Sequence, residues 1–114
     1  LPMMSLGAYG VISVASHLFG SEIKSMIRNF KTGEVVAARN MHKKLYPAFR
    51  ALFMAPNPTP AKAALAYKGI IEDYVRKPLV TLTDDEKIQL FKVIDSVKQE
   101  LSEEGCRQNW DWIL

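Results

Sequence analysis

The sequence predicts a mainly α-helical chain with one β-α unit near its amino end. The stretch YGVISVAS, residues 9–16, is apolar on both faces, as is typical of a parallel strand covered on both sides. From Gly33 onward the apolar residues recur at helical spacing instead. With 114 residues, 48% of them hydrophobic and 24% charged, the chain is long enough for one ordinary domain with its own core.

The first 33 residues contain the predicted β-α unit. Residues 1–6 are predicted to end a helix, with Gly7 at the position after its carboxyl cap. The strand follows, and Ser21 is the predicted amino cap of the next helix, which Gly33 ends. The inward face of that helix is predicted to comprise Ile23, Met26, Ile27 and Phe30.

The next predicted helix follows Gly33 and contains a proline. Pro47 predicts a kink or a break near Leu45, because it lacks an N–H and clashes with the preceding turn. A proline-rich turn comes next, and Thr59 is the predicted amino cap of a short alanine-rich helix with Pro60 as its first residue. The apolar stripe of the longer helix comprises Val35, Ala38, Met41, Leu45, Phe49, Leu52 and Phe53.

The last predicted helix begins with a full capping box. Thr83 is the amino cap, and Glu86 stands three residues later, the spacing at which the two side chains and backbone N–H groups bond reciprocally. From Ser102 onward the sequence shows no clear period, and Trp110, Trp112 and Ile113 could form an exposed apolar end. The residues expected to face inward are Ile88, Phe91, Val93 or Ile94, and Val97.

Several classes of function are disfavoured by composition. The net charge of +3 is spread along the chain, so no nucleic-acid partner is expected. No apolar run approaches the roughly 20 residues of a membrane span. The single Cys106 fits a reducing cytoplasm. His17 and His42 have no acidic or cysteine partner at ligand spacing, so no metal is expected.

The predicted strand has no partner strand in this sequence. A strand leaves its backbone N–H and C=O groups unsatisfied unless another strand pairs with it. Residues 9–16 are therefore either a loop or helical segment of a small bundle, or a strand whose partners lie upstream of Leu1. Because the sequence begins with leucine rather than methionine, we expect the second.

Four blocks of sequence resemble the dihydrodipicolinate synthase family, in order and spacing. They are GAYGVISVASH, TGE, LYPAFRALFMAPNPTPAKAAL and RKPLVTLTDDEK, and together the resemblance covers roughly residues 1–101. It is a resemblance to the carboxyl-terminal part of the family, which implies a (β/α)8 TIM barrel followed by a helical domain. Residues 1–33 would close the barrel with strand eight and helix eight, residues 34–101 would form the helical domain, and residues 102–114 would be an atypical tail.

The resemblance also implies an activity for the parent protein. Family members are homo-oligomeric lyases of lysine biosynthesis that condense pyruvate with aspartate semialdehyde through a Schiff-base lysine, without metal or organic cofactor. That lysine would lie upstream of Leu1, and the seven lysines from Lys24 to Lys77 resemble ordinary solvated side chains. We therefore expect this chain alone to be inactive. Ile12 and Val14 match family positions close to bound pyruvate, although both could simply be core.

Two alternatives remain open at this point. The parent could be another pyruvate-dependent aldolase, such as an N-acetylneuraminate lyase. The chain could instead be a non-enzymatic helical module that binds a partner through its apolar faces. A helical module predicts a cooperative monomer, whereas a barrel segment predicts an exposed edge that self-associates.

Overall fold

The computed structural model describes the backbone of residues 1–108 and the side chains of residues 1–103. Within this range the chain forms five α-helices and no strand. The helices are α1 (Pro2–Ser5), α2 (Ser16–Lys31), α3 (Val35–Ala51), α4 (Thr59–Tyr67) and α5 (Asp84–Gln108). The predicted tail is therefore helical at its start, because α5 continues to Gln108. The predicted apolar end at Trp110, Trp112 and Ile113 lies outside the described residues.

The core lies where α2, α3, α4 and α5 meet. Helix α3 packs against α2 on one side and α5 on the other, while α4 packs against α5 and α2. The predicted mainly helical character is thus confirmed. The side chains that are fully or almost fully buried at this junction include Phe19, Ala38, Leu45, Ala48, Leu52, Ala64, Leu90, Ile94 and Val97.

Glycines end three of the described helices, as the sequence predicts for Gly7 and Gly33. Gly7 has a φ of +96°, Gly33 of +89° and Gly69 of +72°, a region in which a side chain would be strained. After α2, the Gly33 amide donates to the Phe30 carbonyl and the Glu34 amide to the Asn29 carbonyl. The same 5→2 and 6→1 pair of bonds follows α1 and α4, so all three helices end in a Schellman motif.

The predicted strand does not form, which corrects the sequence-based assignment. Residues 8–13 adopt no helix, turn or strand, and residues 14 and 15 form a turn into α2. The physical reason is that a strand is defined by bonds to a neighbouring strand, and the described chain supplies none. Among residues 9–15, no backbone amide donates a hydrogen bond to another backbone carbonyl in the described structure.

Helix α2 begins five residues earlier than predicted. It starts at Ser16 rather than near Ser21, but Phe19 interrupts it with φ −131° and ψ 35°. Leu18 and Phe19 are buried, and this burial holds the short first turn against the core. Ser21 therefore lies just after an interruption inside the helix and does not cap its start.

Three further sequence expectations change in the folded chain. Helix α3 continues through Pro47 without a break, since buried side chains on both sides of the proline anchor it. Helix α4 includes Thr59, and Pro58 is its amino cap. On α5, Ile88 is 51% exposed whereas Ile94 and Val97 are buried. The buried stripe of α5 thus begins at Leu90, which is fully buried and is not among the residues expected from the sequence to face inward.

The capping box of α5 forms as predicted. The Thr83 amide donates to a Glu86 carboxylate oxygen at 2.8 Å, and the Glu86 amide donates to the Thr83 hydroxyl at 3.3 Å. The hydroxyl of Thr83 also donates to the same carboxylate at 2.9 Å. These bonds lower the pKa of Glu86 and satisfy amide groups that have no partner within the helix.

Replacing Thr83 with alanine should destabilise the chain by about 1 kcal/mol, because an amino-cap hydroxyl contributes about that much. The measurement is the urea midpoint of unfolding followed by circular dichroism. Thr81→Ala is the matched control, since Thr81 is exposed and lies two residues before the cap. Equal midpoints for the two variants would contradict a stabilising capping box.

Polar contacts attach the connector between α4 and α5 to those helices. Asp73 forms a 2.8 Å ion pair with Lys87 of α5, which lowers the pKa of Asp73 and raises that of Lys87. Lys62 of α4 donates to the Tyr74 carbonyl. The connector therefore follows a defined path although several of its apolar residues are exposed.

Candidate functional site

The sequence-predicted site residues lie in the segment that leads into α2. Ile12 is 106% exposed and contacts no part of the core. Val14, two residues later, is half-buried and packs against the core cluster. The structure therefore places the two residues in one segment but in different environments. Ile12 is not a core residue of this chain.

The segment around Ile12 borders a cavity of about 360 Å³. Gly10, Val11 and Ser13 contribute to its wall together with residues of α1, α2 and α3. Ile12 is not part of this wall, and Val11 is itself 62% exposed. The side chain of Ile12 is thus covered neither by the cavity nor by the core of this chain.

The cavity itself is mostly apolar. Its walls include Met4, Ile23, Met26 and Phe49, and His42 supplies a polar group. The His42 Nδ1 atom is buried without a hydrogen-bond partner. Burial is the largest cause that lowers the pKa of His42. The imidazole of His42 lies near the rings of Tyr46 and Phe49. These surroundings favour a packing role for His42 over a role in proton transfer to a substrate.

The side chains of the described residues do not supply a metal site. No group of three or more histidine, cysteine, aspartate or glutamate residues in that part of the chain could hold a metal ion. His17 is exposed at the start of α2, and His42 lines the cavity. No described helix is long and apolar enough to cross a membrane.

Several lysines have structural partners within the chain. Lys87 pairs with Asp73, and the Lys31 ammonium lies 4.1 Å from the centre of the Tyr9 ring. The sequence does not indicate the surroundings of Lys68. Burial is the main cause that lowers the pKa of its ammonium group. The same group donates a hydrogen bond to the Leu18 carbonyl at 3.4 Å. A contact fifty positions apart in the chain has no local sequence signal.

The geometry thus defines a helical unit that exposes apolar side chains both in the segment before α2 and in the connector after α4. The profile described as "Dihydrodipicolinate synthetase family" matches residues 1–97. The chain therefore belongs to the dihydrodipicolinate synthetase family.

Individual curated proteins of this family are also similar in sequence to this chain. The chain is 44% identical over 97 residues to the 4-hydroxy-tetrahydrodipicolinate synthase of Bacillus velezensis, covering 85% of this chain and 34% of that protein. It is 50% identical over 95 residues to 4-hydroxy-tetrahydrodipicolinate synthase 1 of Halalkalibacterium halodurans, covering 83% and 32%. The chain thus spans about a third of the length of the curated relatives it matches.

Solved structures of named synthases share the fold of this chain. The 4-hydroxy-tetrahydrodipicolinate synthase of Methylacidiphilum fumariolicum aligns with a TM-score of 0.86 at 37% identity, over 90% of this chain and 34% of that one. A dihydrodipicolinate synthase from Bacillus anthracis aligns with a TM-score of 0.80 at 44% identity, over 83% and 32%. The arrangement of the helices is therefore one that occurs within synthases of this family.

Proposed function

We propose that this chain is the carboxyl-terminal third of a 4-hydroxy-tetrahydrodipicolinate synthase. The parent would be a cytoplasmic, homo-oligomeric lyase that condenses pyruvate with aspartate semialdehyde in lysine biosynthesis. The names of the relatives support the activity. The complete exposure of Ile12 in an apolar segment is the observation that connects this chain to the site.

In this proposal residues 9–16 are the eighth strand of a (β/α)8 barrel, and α2 belongs to its eighth helix. Residues 1–33 then close the barrel, residues 34–101 form the helical domain, and residues 102–114 are the tail. A complete barrel of this kind takes about 250 residues, which agrees with the length of the relatives. The face of the segment that carries Ile12 would be turned into the barrel, and Val11 and Ser13 would face the helices.

The proposed chemistry divides between two parts of the parent. A lysine upstream of this chain would form a Schiff base with the pyruvate carbonyl, and the resulting enamine would attack the aldehyde. Ile12, near the carboxyl end of its strand, would pack against pyruvate and exclude water from it, since active sites of these barrels lie at that end. Val14, which packs against the helical core in this chain, would occupy a neighbouring position close to the same site. The chain alone would lack the nucleophile and be inactive.

The experiment that tests this proposal restores the upstream part in trans. The chain is co-expressed with the upstream two-thirds of the Bacillus velezensis relative, and condensation of pyruvate with aspartate semialdehyde is assayed. We expect activity in the co-purified complex and none from either piece alone. The relative's own carboxyl-terminal third is the matched positive control.

A second readout locates the Schiff base. After incubation with pyruvate and reduction with borohydride, intact mass should show an adduct on the upstream piece and none on this chain. An adduct on a lysine of this chain would contradict the proposed division of labour. A stable monomer that does not associate with the upstream piece, while the positive control does, would favour an independent helical module instead.

A further inference from the structure

Lys68 lies where three helices meet. It is the carboxyl cap of α4, and its amide donates to the Ala64 carbonyl at 3.3 Å. The Schellman motif at Gly69 immediately follows, so the backbone that carries the Lys68 side chain is fixed in position. A cation at a helix carboxyl end is also favoured by the helix dipole. Lys68 is therefore well placed to hold a partner on another helix.

The partner is the interrupted first turn of α2. The Lys68 ammonium donates to the Leu18 carbonyl at 3.4 Å and lies 5.8 Å from the centre of the Phe19 ring. Phe19 is 1% exposed and is the residue at which α2 departs from helical geometry. The Lys68 side chain thus makes two contacts with this turn. It donates a hydrogen bond to the carbonyl of Leu18, the residue before the interruption, and it makes a cation–π contact with the ring of Phe19, the residue at the interruption.

The charges around Lys68 come from two other helices. Burial is the largest influence on its pKa and lowers it, Lys98 of α5 lowers it further, and Glu22 of α2 opposes both. A partly desolvated ammonium favours a nearby acceptor, and among the described residues the Leu18 carbonyl lies within 3.4 Å of it. The contact is thus a specific tertiary anchor rather than a solvated surface charge.

Hydrogen bonds connect this anchor to the proposed site segment. The Leu18 amide donates to the Ala15 carbonyl at 3.0 Å, and the His17 amide donates to the Val14 carbonyl at 3.4 Å. Ala15 is 3% exposed. Leu18 is therefore joined through one backbone bond to the residue after Val14, so a displacement of the Leu18 carbonyl would displace the end of the segment.

We propose that Lys68 is a positioning residue of the substrate site. By holding the Leu18 carbonyl, it fixes the turn over residues 14–19 and with it the orientation of Val14 and Ile12. The structural part of this proposal concerns the present chain alone, and its consequence for pyruvate binding rests on the proposed function above. The two parts are therefore tested by separate experiments.

The first experiment measures backbone hydrogen exchange in the full chain. Lys68→Met, which keeps the methylene packing but removes the donor, should raise exchange at the amides of residues 16–19 by about threefold to tenfold, the range expected for a charge-assisted hydrogen bond that is partly solvated. Lys68→Arg keeps a cationic donor and should restore most of the protection. Lys98→Met removes a neighbouring charge without this contact and is the matched control.

Two outcomes would overturn the structural part. One is unchanged exchange at residues 16–19 in Lys68→Met, and the other is an absence of protection there in the unsubstituted chain. If the Met variant loses its helical circular dichroism, Lys68→Leu provides the same comparison with a shorter side chain that also lacks a donor. Because no enzyme assay is involved, this result does not depend on the parent's activity.

The second experiment uses the complex with the upstream piece. Lys68→Met should raise the KM for pyruvate by about threefold to tenfold and leave kcat within about twofold, because the substitution weakens ground-state and transition-state binding alike. Lys68→Arg should restore the KM, and Lys98→Met should not change it. An equal loss of kcat in the Met and Arg variants would contradict a positioning role, whereas an inactive complex of the unsubstituted chain would contradict the proposed function itself.

Discussion

Replacing Ile94 with alanine should lower the free energy of unfolding of this chain by about 3 kcal/mol, within the range measured for large-to-small changes in protein cores. Ile94 is 0% exposed and belongs to the core cluster where α5 meets α3 and α4. The substitution removes apolar contacts and leaves a cavity that helices on several sides cannot easily close. A chain of this size is stabilised by only about 5–15 kcal/mol in total, so the loss is large.

The measurement is urea unfolding followed by circular dichroism, with a thermal melt as a second probe. The expected fall in melting temperature is about 10–20 °C for a domain of this length. Ile88→Ala is the matched control, because it makes the same change on the same helix at a residue that is 51% exposed. It should alter the free energy of unfolding by no more than about 0.5 kcal/mol. Equal losses for the two variants would contradict the orientation of α5.

Replacing Ile12 with aspartate should leave the stability of the chain alone almost unchanged but strongly reduce the activity of the complex with the upstream piece. In the chain alone Ile12 is 106% exposed, so the substitution should change the free energy of unfolding by no more than about 0.5 kcal/mol. In the complex, the new carboxylate would enter the proposed desolvated site close to the pyruvate carboxylate. Burial of a charge beside a like charge is costly.

The expected result in the complex is a fall in kcat/KM of about 100-fold or more, equivalent to about 2.7 kcal/mol. Ile70→Asp is the control, because Ile70 is also exposed, at 62%, but lies in the connector after α4. It should leave kcat/KM unchanged within about twofold. Loss of association with the upstream piece would still support burial of Ile12 at that interface. Full activity of the Ile12 variant would contradict the site assignment.

Local sequence was sufficient for much of the helical architecture. The capping box at Thr83 and Glu86 was correctly predicted because all its atoms lie within four consecutive residues. The helix end at Gly33 was likewise predictable, because a positive φ angle favours glycine whatever surrounds it. The family was recognisable for a different reason: four blocks in order and spacing identify the chain even where the fold of one block is misassigned.

Tertiary packing decided the features that sequence reasoning missed. Helix α3 continues through Pro47 because residues on either side are buried. On the same turn of α5, Ile88 is exposed whereas Leu90 is buried, a difference set by which side of the helix faces the core. The anchor at Lys68 joins residues fifty positions apart, and no local pattern encodes such a contact.

The segment before α2 shows most clearly what sequence determines and what tertiary structure decides. The sequence alone determined a stretch that is apolar on both faces and favours a strand, and it determined the family to which the chain belongs. Tertiary structure decided whether a strand forms, since its hydrogen bonds must come from another strand and the described chain has none to offer.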